Sequence, residues 1–372
     1  MKTNIKYIAS ILVVVAVIFT GVVIRNQSQS STVIKIGLVG PFSGKAAAFG
    51  EFMNRGLALT STTMNAAEFS AMQIIKADDM CDGKTAVSAV QKLIEVDHVN
   101  YIIGPLCNAA TLSTEKLFED NKVISISIGL PSNQIANMGP YHFAFSPEIE
   151  FLMKRLAGYV NERGLKNIAI IHTVSPMEEE NYSTFRKHFT AGGGTILSDQ
   201  SIVKGQSDFR DTLAKVKAAK PDAIMISVYG PDLVVLLKQM ADLKLSSLPR
   251  FGIHALQTPD LKDVMNIAEG IIYPYPSDNN VIASAADYAT LYQSKYGTSP
   301  DMSSINVYDS LNILNTAIKE CGYSNKDCVR EKLANLKDYE GANGNLTVDA
   351  RGVGTYKEIM LKTIKDGKFV KL

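Results

Sequence analysis

From residue 33 onward, short β-type runs alternate with helical stretches, and the alternation is played through twice. Val33 to Val39 (VIKIGLV) is rich in β-formers and ends at Gly40-Pro41. A helical stretch then runs through Glu51 to Ala66, and Met72 to Ala77 (MQIIKA) reads as a second strand. Between Lys84 and Asp97, Val87, Val90 and Ile94 fall at i, i+3 and i+7, which lays one apolar stripe along a helix. Tyr101 to Ile103, a helix from Ala109 to Asp120 and a strand from Val123 to Ile128 complete the first series. The second opens with a helix from Glu148 to Arg163 and a buried strand Asn167 to His172. It continues with a helix at Tyr182 to Ala191, a strand at Thr195 to Ile202 and a helix from Phe209 to Ala218. Ala223 to Val228 is again strand, and Asp232 to Leu243 again helix.

Strands separated by helices imply right-handed βαβ units and parallel sheets. A chain of 372 residues exceeds what one hydrophobic core commonly supports, so two α/β lobes are expected. Past them, the prolines of Ile271 to Tyr275 (IIYPY) mark a break, and a helical region spans Ala283 to Leu336. Tyr356 to Ile364 and Lys368 to Val370 alternate like a closing antiparallel hairpin over Asp366-Gly367. Two parallel halves leave a cleft where the carboxyl ends of their strands meet, the place where such folds bind ligands.

The first 32 residues address the chain. Tyr7 to Ile24 is a run of 18 uncharged residues, preceded by Lys2 and Lys6 and followed by Arg25. As a helix it spans roughly 27 Å, enough for a bilayer core. A cleaved signal peptide competes with this reading, but no Ala-x-Ala precedes Arg25. An uncleaved signal anchor (7–24) is therefore expected, with residues 1–6 in the cytoplasm and a polar linker at 25–32. Either reading exports the body of the protein.

Four cysteines agree with export. Their simplest pairing is Cys81 with Cys107 and Cys321 with Cys328, four buried thiols being the alternative. Lys plus Arg (38) nearly cancels Asp plus Glu (37), and no basic run offers a nucleic-acid surface. Nucleotide motifs are missing: neither GxGxxG after the first strand nor GxxxxGK[ST] occurs. GPFSG is one residue away from a nucleophile elbow, so Ser43 reads as a turn residue. The five histidines have no metal spacing, and Glu178-Glu179-Glu180 reads as a solvated helix start. No enzyme, cofactor or metal is implied.

Several segments together carry a resemblance. DDMCDGKTAVSAVQKLI…YIIGPLC, with Asp78, Asp79, Cys81, Gly104 and Cys107, resembles the leucine/isoleucine/valine-binding proteins, type I periplasmic receptors of ABC importers. GLVGPFSG, NIAIIH, KQMADLKL, GNLTVDARG and KDGKF match in order, so the likeness covers nearly everything after residue 32. It implies a Cys81–Cys107 disulfide and three hinge crossings near Ser146, Pro274 and Gly344. The first lobe then comprises 33–146 and 275–344, and the second 147–274 and 345–372.

In such receptors a helix start after the second cysteine holds the carboxylate of an amino acid, while a Thr and a Glu hold its ammonium. The resemblance places the carboxylate at Asn108, with the amides of Ala109, Ala110 and Thr111 pointing at the guest. Asn108 is equally suited to capping its own helix. The ammonium side departs from the pattern: in the loop after Gly129 the Thr position is Pro131, and the Glu position is Ala255, beside His254. Neither supplies a carboxylate or hydroxyl. Aromatic clamp positions become Phe49, Met177 and Tyr229, with core packing the plainer role for Met177. The expectation is an extracytoplasmic receptor that closes on a small organic acid, amide or amino-acid-like solute and delivers it to an ABC permease. A membrane-anchored sensor of the same fold without transport is the alternative.

Overall fold

The computed structural model describes residues 33–257, 259–276, 283–356 and 359–372. The expected anchor at 7–24 and its flanks lie outside these. Among the described residues no helix is long and apolar enough to cross a membrane.

The first sheet contains β1 (Ile34–Gly40), β2 (Met72–Asp78), β3 (Tyr101–Ile103), β4 (Ile124–Ser127) and β5 (His142–Ala144). All are parallel, in the order β2-β1-β3-β4-β5. Helices α1 (Ala47–Thr63), α2 (Gly83–Glu95) and α3 (Asn108–Asn121) connect them. The second sheet begins with β6 (Asn167–Thr173), β7 (Thr195–Ile202), β8 (Ala223–Ser227), β9 (Arg250–Gly252) and β10 (Ile272–Pro276). Its helices are α4 (Ile149–Glu162), α5 (Pro176–Ala191), α6 (Arg210–Ala218) and α7 (Gly230–Asp242). The order β7-β6-β8-β9-β10 repeats that of the first sheet, strand for strand. Both central regions are buried on two faces, as parallel sheets must be, so β3, β4 and β8 read as unbroken apolar or small residues.

Each sheet has its own core. In the first, Leu38, Ile103, Ile126 and Phe145 pack with Val307, Leu311 and Leu314 of α9 (Met302–Cys321), which follows α8 (Ala283–Tyr296) and precedes α10 (Lys326–Ala334). In the second, Ile168, Ile170 and Met225 pack with Leu152, Leu156 and Phe185 on one face. Ala169, Ile171 and Ile226 pack with Leu213, Leu233 and Leu237 on the other. Each fully buried large side chain in these cores contributes roughly 1.5–3 kcal/mol.

Three expectations are corrected. Ile271 to Tyr275 is no break: residues 272–276 form β10, pairing antiparallel with β14 (Ile359–Lys365). Only Ile272 has a partner in β9, so Pro274 lies where no ladder donor is needed on that side. The chain therefore returns to the first lobe after β10, not at Pro274. The third crossing is likewise later than Gly344. Strands β11 (Tyr339–Gly341), β12 (Gly344–Val348) and β13 (Gly354–Tyr356) form a small antiparallel sheet whose Leu346, Val348 and Tyr356 belong to the first core. Ala144 also bridges Val353. The chain joins the second sheet only at β14, which turns into β15 (Lys368–Lys371). Asp366 and Gly367 both take positive φ (51° and 67°), the backbone of the expected two-residue hairpin turn. The third correction concerns α5, which starts at Pro176, ahead of both Tyr182 and the Glu178-Glu179-Glu180 run, with Ser175 at the cap position.

Candidate functional site

A strand order of 2-1-3-4-5 has one switch point, between its first and third strands, where successive connections leave for opposite faces of the sheet. Here the switch points fall between β1 and β3 and between β6 and β8. The loops that open there lead to Phe49 and Asn108 in one lobe and to Met177 and Tyr229 in the other. Gly129 and Pro131 follow β4, and His254 and Ala255 follow β9. Every residue expected at the site thus lies beyond the carboxyl end of a parallel strand.

Helix α3 begins one residue earlier than expected. Cys107 occupies the cap position with extended backbone, and Asn108 is the first helical residue, so Asn108 does not cap. The Thr111 amide already donates to the Cys107 carbonyl at 2.9 Å, which removes it from the expected anion-binding set. The amides that open the helix ahead of that first bond are those of Asn108, Ala109 and Ala110. Asn108 Nδ2 is buried without a hydrogen-bond partner. The Cys81–Cys107 disulfide, with Cα atoms 5.4 Å apart, ties this helix start to the loop after β2. The second disulfide joins Cys321 to Cys328, and none of the described cysteines is free.

The loop after β4 closes over the helix start. A side chain at Gly129 would put its Cβ 2.1 Å from the Leu106 carbonyl oxygen, so only glycine lets the two loops approach. Pro131 is buried, and its carbonyl accepts from the Ile149 amide of α4 at 3.3 Å. Between them Leu130, only 4% exposed, packs into the core cluster of the second lobe, which also holds Met177, Tyr229 and Ala255 at its margin. Phe49 is half-buried, edge-on to Phe52 with centroids 6.3 Å apart. The lobes also meet where the Asn133 amide donates to Glu180 Oε1 at 3.4 Å. Near the hinge, Arg351 pairs with Glu148 and Asp349.

The three glutamates expected in solvent have different fates. Glu178 is 1% exposed, takes a hydrogen bond from the Ser175 hydroxyl, and burial pushes its carboxyl up from the ordinary range. Ser175 occupies the cap position and Pro176 opens α5, a helix start available in the sequence; no side-chain cap bond is made, and the Ser175 amide donates to the Thr173 carbonyl at 3.0 Å. The Glu178 carbonyl accepts from Ser227 Oγ at 2.9 Å, locking α5 to β8. Glu179 is exposed and lies 3.2 Å from His172 Nδ1, and Glu180 makes the bond between lobes. Tyr229 sits at the start of α7 with the Lys204 ammonium 5.8 Å from its ring centre. Burial, then the nearby Glu178 carboxylate, pushes its phenol up. His254 is buried and held neutral, its pKa lowered to about 3 by burial. Lys204 and Leu130 were not anticipated, because neither carries a local pattern and only the packing of the lobes brings them to the seam.

Among the described residues no group of three or more His, Cys, Asp or Glu side chains is placed to hold a metal ion. Among the described residues the seam combines an anion-favouring helix end, apolar walls and a tyrosine hydroxyl. Two α/β lobes with matched switch points facing one another define the type I periplasmic solute receptor.

Comparison with known proteins agrees. The periplasmic binding protein family profile matches residues 33–368, and the chain belongs to that family, in its leucine/isoleucine/valine-binding branch. Its members are non-enzymatic, extracytoplasmic solute receptors of ABC transporters. The chain is 23% identical over 335 residues to the leucine-, isoleucine-, valine-, threonine- and alanine-binding protein of Pseudomonas aeruginosa, covering 88% of each. It superimposes on a leucine binding protein of Thermotoga maritima with a TM-score of 0.84 at 20% identity, covering 91% of this chain and 98% of that one. A solute binding protein of an R. palustris ABC transporter, in complex with benzoate, gives 0.82 at 21% identity, with 91% and 95% covered.

Proposed function

We propose that this chain captures a small carboxylic acid lacking an α-ammonium group, aromatic or aliphatic, and presents it to an ABC permease outside the cytoplasm. In this reading the segment at 7–24 tethers the receptor to the membrane, and intact mass retaining Met1 or Lys2 checks that it is not cleaved. One observation carries the choice of guest. The helix start at Asn108 offers donors to an anion, while the two positions where amino-acid receptors place ammonium partners hold Pro131 and Ala255. A buried ammonium without a carboxylate or several acceptors costs several kcal/mol. Among the described residues Glu178 is the buried carboxyl near Tyr229, and it already takes the hydrogen bond of the Ser175 hydroxyl.

The Thermotoga relative is named for leucine and the R. palustris neighbour holds benzoate, so the same architecture serves both kinds of guest. The pattern at 131 and 255 supports the second kind. Thermal-shift screening of the full chain with benzoate, a branched aliphatic acid, benzamide and leucine tests it. Stabilisation by the acids, weaker stabilisation by the amide and none by leucine is the expected order. Leucine outranking both acids overturns the reading.

A further inference from the structure

A second cavity, of about 370 Å³, lies wholly within the first lobe between α1, α8, α9 and β11, and no residue expected at the seam lines it. Its volume is in the range of sites for small organic molecules and far larger than a single ion needs. Three tyrosines face it: Tyr288, Tyr308 and Tyr339, the first two with ring centres 4.6 Å apart and planes inclined at 49°. Three acids accompany them: Asp287 and Glu340, both exposed, and Asp309, which is buried. No lysine, arginine or histidine is among the lining residues.

The chemistry of this wall selects its guest. Aromatic faces attract a cation through their quadrupole, and carboxylates add a formal counter-charge. A hard metal ion is a poor match, because ring faces cannot ligate it. Asp309 Oδ1 accepts from the Ala342 amide at 2.8 Å, and Oδ2 from the Asn343 amide at 3.0 Å. These bonds hold β11 and the turn after it against α9, so the cavity floor is fixed by the fold. An anion meets three acids and no base. An uncharged apolar guest gains nothing from the acids at the rim.

We infer that this cavity binds a small organic ammonium compound, its cationic head among the tyrosine rings and its charge met by Asp287 and Glu340. This site is separate from the seam and does not depend on what the seam binds.

The test uses the full chain in maltoside micelles and choline as the probe. The sequence has 15 tyrosines and no tryptophan, so intrinsic emission reports on tyrosines directly. Choline is expected to give a saturable change, and its uncharged isostere, with tert-butyl in place of trimethylammonium, to give none. Asp287→Asn with Glu340→Gln alters only exposed positions, and circular dichroism checks that the fold is kept. This pair is expected to weaken choline binding about three- to tenfold. Tyr308→Leu is expected to weaken it about tenfold. Equal responses to choline and the isostere, no saturable response to choline, or unchanged affinity in these folded variants each overturns the assignment.

Discussion

Ala255→Glu restores the one acid that the seam lacks, and its effect can be worked out beforehand. Ala255 lies in the turn after β9, half-buried, packed at the margin of the cluster that holds Leu130, Met177 and Tyr229. A carboxylate about 4 Å from a ligand ammonium attracts it by about 4 kcal/mol at an effective dielectric of 20. Desolvating both groups and ordering the new side chain opposes that gain, leaving a net of about 1–3 kcal/mol, or roughly 10- to 100-fold in leucine affinity. The same carboxylate repels the anionic head of a simple acid by about 2 kcal/mol at about 8 Å. Leucine's own carboxylate, held at the same helix start, feels the same repulsion, so that term cancels and the ratio of leucine to benzoate affinity should rise about 10- to 100-fold, read by calorimetry on both ligands. Ala255→Gln adds nearly the same bulk without charge and should move the ratio less than about tenfold. If the Glu and Gln variants change both affinities equally, the effect is steric. Position 255 then does not face the charged end of the guest, and the account of specificity fails.

Two further outcomes follow from the same geometry. Replacing Cys81 and Cys107 by Ser opens a loop with a sequence separation of 26 and should cost about 3.5 kcal/mol of unfolding free energy by the chain-entropy estimate. Acid affinity should fall with it, because Cys107 begins α3; unchanged affinity in the reduced variant would falsify the role given to that helix start. His254 has a folded pKa near 3, below its unfolded value of about 6.5, so its share of stability is complete above about pH 6.5 and is lost as pH falls toward 3. The raised pKa values of Asp79, Asp301 and Asp309 act in the opposite sense over part of that range, so the difference between variant and parent is the useful measurement. His254→Leu should lose less stability relative to the parent at pH 5 than at pH 7, by up to about 1.4 kcal/mol per pH unit in denaturant titrations. Parallel profiles would show that burial does not control this histidine.

The two lobes were legible because parallel strands covered on both faces appear as unbroken apolar runs, and Asn167 to Thr173 and Ala223 to Ser227 are of that kind. Their strand order was not legible, since βαβ handedness does not fix it, and the positions Phe49, Asn108, Met177 and Tyr229 were supplied by the family resemblance. The proline-bearing β10 was hidden, since only its position at the end of β9 makes Pro274 tolerable, and that position is a tertiary fact. The late third crossing was hidden for a related reason. Residues 344–356 alternate like any edge hairpin, and nothing local says which core Leu346 and Val348 will join. At the site, the helix start at Ser175-Pro176 could have been read, with Ser at the cap position and Pro first in the helix. That Glu178 is 1% exposed could not, because its cover comes from elements distant in sequence.

The means of holding charge also bears on what such a receptor must do. A cation buried opposite the guest's carboxylate would give a strong bond, at the cost of stranding that cation whenever the lobes open. Backbone amides at a helix start impose no such cost, since water satisfies them in the open form and the guest does so in the closed one. Asn108, Ala109 and Ala110 belong to a helix pinned by a disulfide, so the donors keep their positions while the lobes move. Leu130 adds an apolar contact from the first lobe to the second, and truncating a buried leucine typically costs about 2–5 kcal/mol. On the proposed reading, affinity comes chiefly from closure and is reversible by opening, while selectivity rests on the few side chains, such as Ala255, that line the second wall.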